Sequence, residues 1–220
     1  MAIVRFHPEG KYWIAGSLAI GLIGGALWLL WGGPLWVGVG LCLAWLVWMA
    51  LVLNFFRYPL RTSPADPSFF YAPCDGRVVS IHRTFEPRYF HTEMRQVSIF
   101  MSPLDVHVNW APAAGQVVFL HHTPGLYKVA WHPKSSLLNE QTFVALTSEG
   151  GPGYAFRQIA GFLARRIRTY LSVGQRVQPG QEVGFIKFGS RVDVLLPLSA
   201  EVLVQPGMRV RGAVTPIARW

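Results

Sequence analysis

The sequence predicts a mainly β, barrel-sandwich-like soluble domain with few short helices, preceded by a two-helix transmembrane hairpin. Three observations lead there. Residues 12–56 contain no Asp, Glu, Lys or Arg. Beyond residue 67, short alternating apolar runs are punctuated by Gly and Pro. In the C-terminal third the run 173–181 resembles the run 204–212, and a G-x-x-V pattern occurs in each, Gly174 to Val177 in one copy and Gly207 to Val210 in the other.

The uncharged stretch divides at Gly32-Gly33-Pro34, a turn signal. Each half, 12–31 and 35–55, is long enough to cross a hydrocarbon layer of about 30 Å at about 1.5 Å per residue. Aromatic residues mark the interfaces: Tyr12 and Trp13, Trp31 and Trp36, Phe55 and Phe56. A cleaved signal peptide has about half this apolar length and no second span. Arg5 and Lys11 precede the first span, Arg57 and Arg61 follow the second, and the turn is uncharged. The positive-inside rule puts both ends in the cytoplasm, at the inner membrane. Residues 1–56 therefore read as an anchor, 57–67 as a Pro-rich linker, and 68–220 as a cytoplasmic domain.

In that domain 76–81, 96–100, 115–120 and 142–146 read as strands. The segment 157–171 fits helical spacing too, but Gly161 and the strand formers Thr169 and Tyr170 favour strand. The G-x-x-V copies resemble the turns of lipoyl and biotinyl carrier domains, without a carrier Lys at a hairpin tip.

Composition narrows function. The net charge of +9 lies mostly beyond residue 60. On a membrane-bound chain it points to anionic phospholipid rather than nucleic acid, for which no recognition motif is present. Cys42 falls in the second span and Cys74 in a reducing compartment, so no disulfide is expected. Metal spacing is lacking: His121 and His122 are adjacent and point to opposite faces of a strand. G-x-S-x-G is missing, which argues against a nucleophile-elbow hydrolase. The sequence leaves a homo-oligomer open.

The most informative residue is Ser190, in Phe188-Gly189-Ser190-Arg191 between two alternating apolar runs. A serine at a tight strand junction can attack the carbonyl before it, and Gly189 carries no side chain to block the approach. The ester can eliminate and hydrolyse to a pyruvoyl group. An ordinary turn serine is the plainer alternative. Asp75 lies in Ala72-Pro73-Cys74-Asp75-Gly76, and His107 in Met101-Ser102-Pro103-Leu104-Asp105-Val106-His107-Val108-Asn109. A turn aspartate and a hydrogen-bonded, half-buried histidine are their bland readings. Lys134, Ser135, Asn139 and Glu140 form a polar cluster, and Arg165, Arg166 and Arg168 a basic run able to hold a phosphate at a membrane.

Together with Phe55-Phe56-Arg57-Tyr58-Pro59, Lys134-x-Ser136-x-x-Asn139-Glu140 and Gln158-Ile159-Ala160-Gly161-x-x-Ala164-Arg165-Arg166-Ile167, these runs make the chain resemble phosphatidylserine decarboxylase proenzymes of the short bacterial and archaeal type. The resemblance covers most of 55–197. It implies self-cleavage between Gly189 and Ser190, giving a β chain, 1–189, and an α chain, 190–220, that begins with a covalent pyruvoyl cofactor made from Ser190. That group condenses with the headgroup amine and takes up the electron pair released with carbon dioxide. The resemblance makes Ser190, His107 and Asp75 the catalytic candidates, and Lys134, Asn139, Arg165 and Arg166 the substrate-binding ones. One feature departs from it: the long bacterial branch has a second histidine where this chain has Trp110. A related serine-headgroup lipid such as archaetidylserine is the rival substrate, and a non-catalytic membrane-anchored adaptor the rival class.

Overall fold

The computed structural model describes residues 5–64, 66–125, 139–148, 152–161, 166–187 and 190–220. Lys134, Arg165 and Gly189 lie outside them. The chain forms two compact units, 1–60 and 61–220.

In the first unit, strand β1 (Arg5–Phe6) pairs with β2 (Arg57–Tyr58) and ties together the ends of two helices, α1 (Lys11–Trp31) and α2 (Leu35–Phe55). Both are long and apolar enough to cross a membrane. Their side chains are mostly exposed, as expected of surfaces made for lipid. Ser17 is an exception. It is buried, and its carbonyl and hydroxyl accept hydrogen bonds from the indoles of Trp45 (2.8 Å) and Trp48 (3.0 Å). These bonds satisfy polar atoms that lipid cannot.

The second unit is all β among its described residues. Its strands are β3 (Phe69–Tyr71), β4 (Gly76–Glu86), β5 (Thr92–Met101), β6 (Val108–Trp110), β7 (Gly115–Thr123), β8 (Gln141–Thr147) and β9 (Tyr154–Ala160), followed by β10 (Ile167–Thr169), β11 (Arg176–Val177), β12 (Glu182–Ile186), β13 (Ser190–Leu196), β14 (Glu201–Val202), β15 (Arg209–Val210) and β16 (Pro216–Arg219). The four strands expected from alternation all formed, and within 157–171 residues 157–160 and 167–169 are strand. An eight-stranded antiparallel sheet runs β11-β7-β8-β9-β13-β5-β4-β15, and two three-stranded sheets run β10-β12-β6 and β14-β16-β3. The large sheet curls round a core that includes Val97, Ile99, Met101, Val144, Phe156, Val192 and Val194. Its central strands β8 and β13 are buried almost throughout, which explains the continuous run Phe143-Val144-Ala145-Leu146. Burying one such side chain is worth about 1.5–3 kcal/mol.

The G-x-x-V copies are one device used twice. Gly174 and Gly207 both have positive φ (88° and 93°), a conformation that costs glycine little. Gly174 N–H donates to Val117 O, and Gly207 N–H to Val78 O, both at 2.7 Å. The strands that follow, β11 and β15, cap opposite edges of the large sheet by pairing with β7 and β4. Their partners repeat too: 71–79 reads YAPCDGRVV and 110–118 reads WAPAAGQVV. Trp110 N–H donates to Pro73 O at 2.8 Å, and Tyr71 N–H to Pro112 O at 2.7 Å, so each copy binds the other reciprocally.

Candidate active site

Ser190 is the first residue of β13. It pairs with Met101 of β5 on one side and Ala160 of β9 on the other. Strand alternation puts it on the inner face with Val192, Val194 and Leu196. It is fully buried, and its hydroxyl donates to Met101 Sδ at 3.1 Å. Arg191 and Asp193 take the opposite face, where they form a buried ion pair at 2.8 Å.

The chain path brings His107 to the same end of the sheet. Met101, the partner of Ser190, leads into a turn at 102–105, closed by Asp105 N–H to Ser102 O (2.9 Å) and Ser102 N–H to Asp105 Oδ2 (2.8 Å). His107 follows. Its carbonyl accepts from Ile186 N–H at 3.3 Å, and four residues further on the chain reaches Ser190. Thus Met101 touches the strand of Ser190, and His107 touches the strand that leads to it. The His107 ring is buried beside Phe185. Its Nδ1 lies 2.9 Å from Asp105 O. A carbonyl can only accept, so the proton of the neutral ring sits on Nδ1 and the lone pair on Nε2.

Asn139 and Arg166 also reach this end. Asn139 is buried, and its amide donates to the carbonyl of Ala160, the neighbour of Ser190, at 2.7 Å. The next residue, Glu140, accepts from Ile167 N–H at 3.3 Å and faces His122 Nε2 at 3.6 Å. Arg166 is exposed, and its carbonyl accepts from Lys187 N–H at 3.3 Å, beside the segment entering Ser190.

Asp75 keeps other company. Its carboxylate is held by Arg61 through both Nη atoms, the Nη2 to Oδ2 bond being 2.7 Å, and by Gly212 N–H at 2.8 Å. Among the described residues it bonds neither Ser190 nor His107. Arg61 in turn stacks on the Trp110 ring, 4.8 Å from its centroid. Gly76 is required beside Asp75 because a Cβ there would come within 2.2 Å of Phe100 O. Burial, and then the neighbouring Asp75, pushes the Cys74 thiol well above its ordinary pKa. It stays protonated, which removes it as a rival nucleophile.

Met101, Asn109 and Gln158, which the motifs contained but gave no reason to single out, and Thr169, two residues beyond the last of those runs, complete the inner wall. Asn109 Nδ2 donates to Met101 Sδ at 3.7 Å, Gln158 Nε2 to Asn109 Oδ1 at 2.8 Å, and Thr169 Oγ1 to Gln158 Oε1 at 2.7 Å. Asn109 and Gln158 are buried.

This geometry can be set beside known proteins. A profile of the phosphatidylserine decarboxylase family matches residues 48–218, a span that includes every residue described here around Ser190. The chain belongs to the phosphatidylserine decarboxylase family. It is 43% identical over 99% of its length to a phosphatidylserine decarboxylase proenzyme of Amoebophilus asiaticus, covering 97% of that protein. A proenzyme of the same name from Salinibacter ruber is 46% identical, covering 90% of this chain and 87% of that one. One from Symbiobacterium thermophilum is 37% identical over 96% and 94%. Membership makes the chain an enzyme, a decarboxylase.

Proposed function

We propose that the chain is a proenzyme that cuts itself between Gly189 and Ser190 and then decarboxylates phosphatidylserine to phosphatidylethanolamine. The observation that carries this is Ser190, fully buried at the head of the central strand β13, with His107 brought to the same end by the links on either side. An ordinary turn serine faces solvent. In the first step His107 Nε2 takes the Ser190 hydroxyl proton as Oγ attacks the preceding carbonyl. The amide becomes an ester, loss of the Ser190 Cα proton breaks the Cβ–Oγ bond and releases the residue-189 carboxylate from a dehydroalanine, and water then replaces the nitrogen as ammonia leaves.

The residues present fit a ketone at position 190. The position is enclosed, its strand neighbour Ala160 is small, and buried donors lie close by. The pyruvoyl group supplies a sink for the electron pair freed as carbon dioxide departs. His107 holds and returns the proton that replaces the carboxylate. Asp75 enters as a positioning residue that, with Arg61, fixes Trp110 at the end of the His107 strand. Asn139 fixes Ala160, and Arg166, with Lys134 and Arg165, supplies positive charge for the headgroup phosphate. The helices α1 and α2 anchor the protein in the inner membrane with both termini in the cytoplasm, where the anionic lipid is met.

Intact-protein mass spectrometry tests the central claim. Two chains are expected, 1–189 and 190–220, the shorter resisting Edman degradation. Ser190→Ala should stay whole and inactive. His107→Ala should lose about 10²–10⁴ in turnover. A wild-type protein that decarboxylates as a single 220-residue chain overturns the proposal.

A further inference from the structure

Two buried donors converge on one sulfur atom. Ser190 Oγ donates to Met101 Sδ at 3.1 Å, and Asn109 Nδ2 to the same atom at 3.7 Å. A thioether is a weak acceptor, so neither donor gains much from it, and buried donors are seldom left so poorly matched without a reason. The other end of the Asn109 amide is bound firmly. Its Oδ1 accepts from Gln158, whose own Oε1 accepts from Thr169. The chain reads one way only, because sulfur accepts and Asn109 must donate to it. Room for the Gln158 amide comes from Gly184, where a Cβ would lie 2.6 Å from Gln158 Nε2.

We propose that Asn109 is a catalytic residue: it donates to the oxygen that becomes negative when Ser190 attacks the preceding carbonyl. Gln158 and Thr169 are positioning residues that aim its amide, and Met101 occupies the donor until the reaction needs it. The inference rests on the self-cleavage reading. In that step Ser190 Oγ bonds to the carbonyl carbon of residue 189 and its proton passes to His107. The C=O pair moves onto oxygen, where Asn109 Nδ2–H meets it. The pair returns as the C–N bond breaks, and the proton goes to the Ser190 nitrogen, leaving an ester.

The test follows cleavage of the full-length precursor, with thermal unfolding recorded alongside. Asn109→Asp keeps the shape and the acceptor for Gln158 but removes the donor, and it should slow cleavage by about 10²–10³. Hydroxylamine cuts an accumulated ester and spares an amide, so the Asn109→Asp precursor should resist it. Thr169→Val should slow cleavage by about tenfold, and Thr169→Ser should restore it. Wild-type cleavage rates in Asn109→Asp, or an ester accumulating in it, overturn the inference. If Asn109→Asp fails to fold, the Thr169 pair decides, and equal rates for Val and Ser overturn it. A wild-type chain that never cuts itself instead refutes the proposed function.

Discussion

The segments 71–79 and 110–118 follow the same backbone course, and each is capped by a strand that follows a positive-φ glycine, but only the first carries a carboxylate. Asp75 corresponds to Ala114. The partner also differs: Gly212, which donates its N–H to Asp75, corresponds to Pro179, which has no N–H to give. The molecule thus contains its own control. An edge of this sheet closes with alanine and proline, so Asp75 and its clamp of Arg61 and Gly212 are not a requirement of the architecture. What the clamp does hold is Trp110, three residues beyond His107, through the stacked guanidinium. That argues for a role in the site.

Transplanting the second copy into the first is the most severe test. Asp75→Ala alone strands the Arg61 guanidinium, whose side chain is 6% exposed, and should cost about 3–5 kcal/mol. The pair Arg61→Met and Asp75→Ala should recover most of that in thermal melts, yet still cut itself at least tenfold more slowly, because the aim of the His107 strand is lost. A doubly substituted precursor that cleaves normally would reduce the clamp to scaffolding. Next come the glycines that open the paired strands. Gly76→Ala would put a Cβ 2.2 Å from Phe100 O, and Gly115→Ala one 2.7 Å from Thr147 O. Both should lower stability by about 1–3 kcal/mol, Gly76→Ala by more, and a loss at one site only would break the equivalence. Ala213 and Gly180 share a left-handed backbone (φ 62° and 74°) and donate equivalent bonds to Ala72 O and Ala111 O. Gly180→Ala, whose Cβ would also lie 2.6 Å from Ser63 Cβ, should destabilise by about 1–3 kcal/mol, while Ala213→Gly has the smallest effect and should be neutral or gain about 0.5 kcal/mol.

Much of this was legible in the sequence. Helices made for lipid announce themselves by missing charge, and half-buried strands by alternation. Ser190 and His107 could be singled out because their residue types suit one chemistry and stand in recognisable runs. The sequence repeat 71–79 and 110–118 was also present, but the rest of β4 and the whole of β5 separate its copies, and attention to the C-terminal turns alone shows only half of it. The rest depends on which strands face each other. Alternation gives the face of Gln158 but not that Asn109, 49 residues earlier, lies opposite. Arg61 sits in a Pro-rich connector and reads as a flanking charge, because nothing local says that it folds back onto Asp75.

The position of Ser190 has one more consequence. The strand that begins there is paired on both sides, by β5 and β9, and the segment after it supplies β15 to an edge of the same sheet and β14 and β16 to another. The proposed cut before Ser190 would therefore sever the covalent link without freeing the fragment, which would stay woven into the barrel. It also changes the molecularity of folding. Before the cut the barrel assembles within a single chain. After it, a barrel that opens yields two separate polypeptides that must meet again, and only the longer carries the helices suited to a membrane. The shorter one, released, would diffuse away, so a cut form would depend on never opening, and its lifetime would be set by an unfolding rate rather than by an equilibrium.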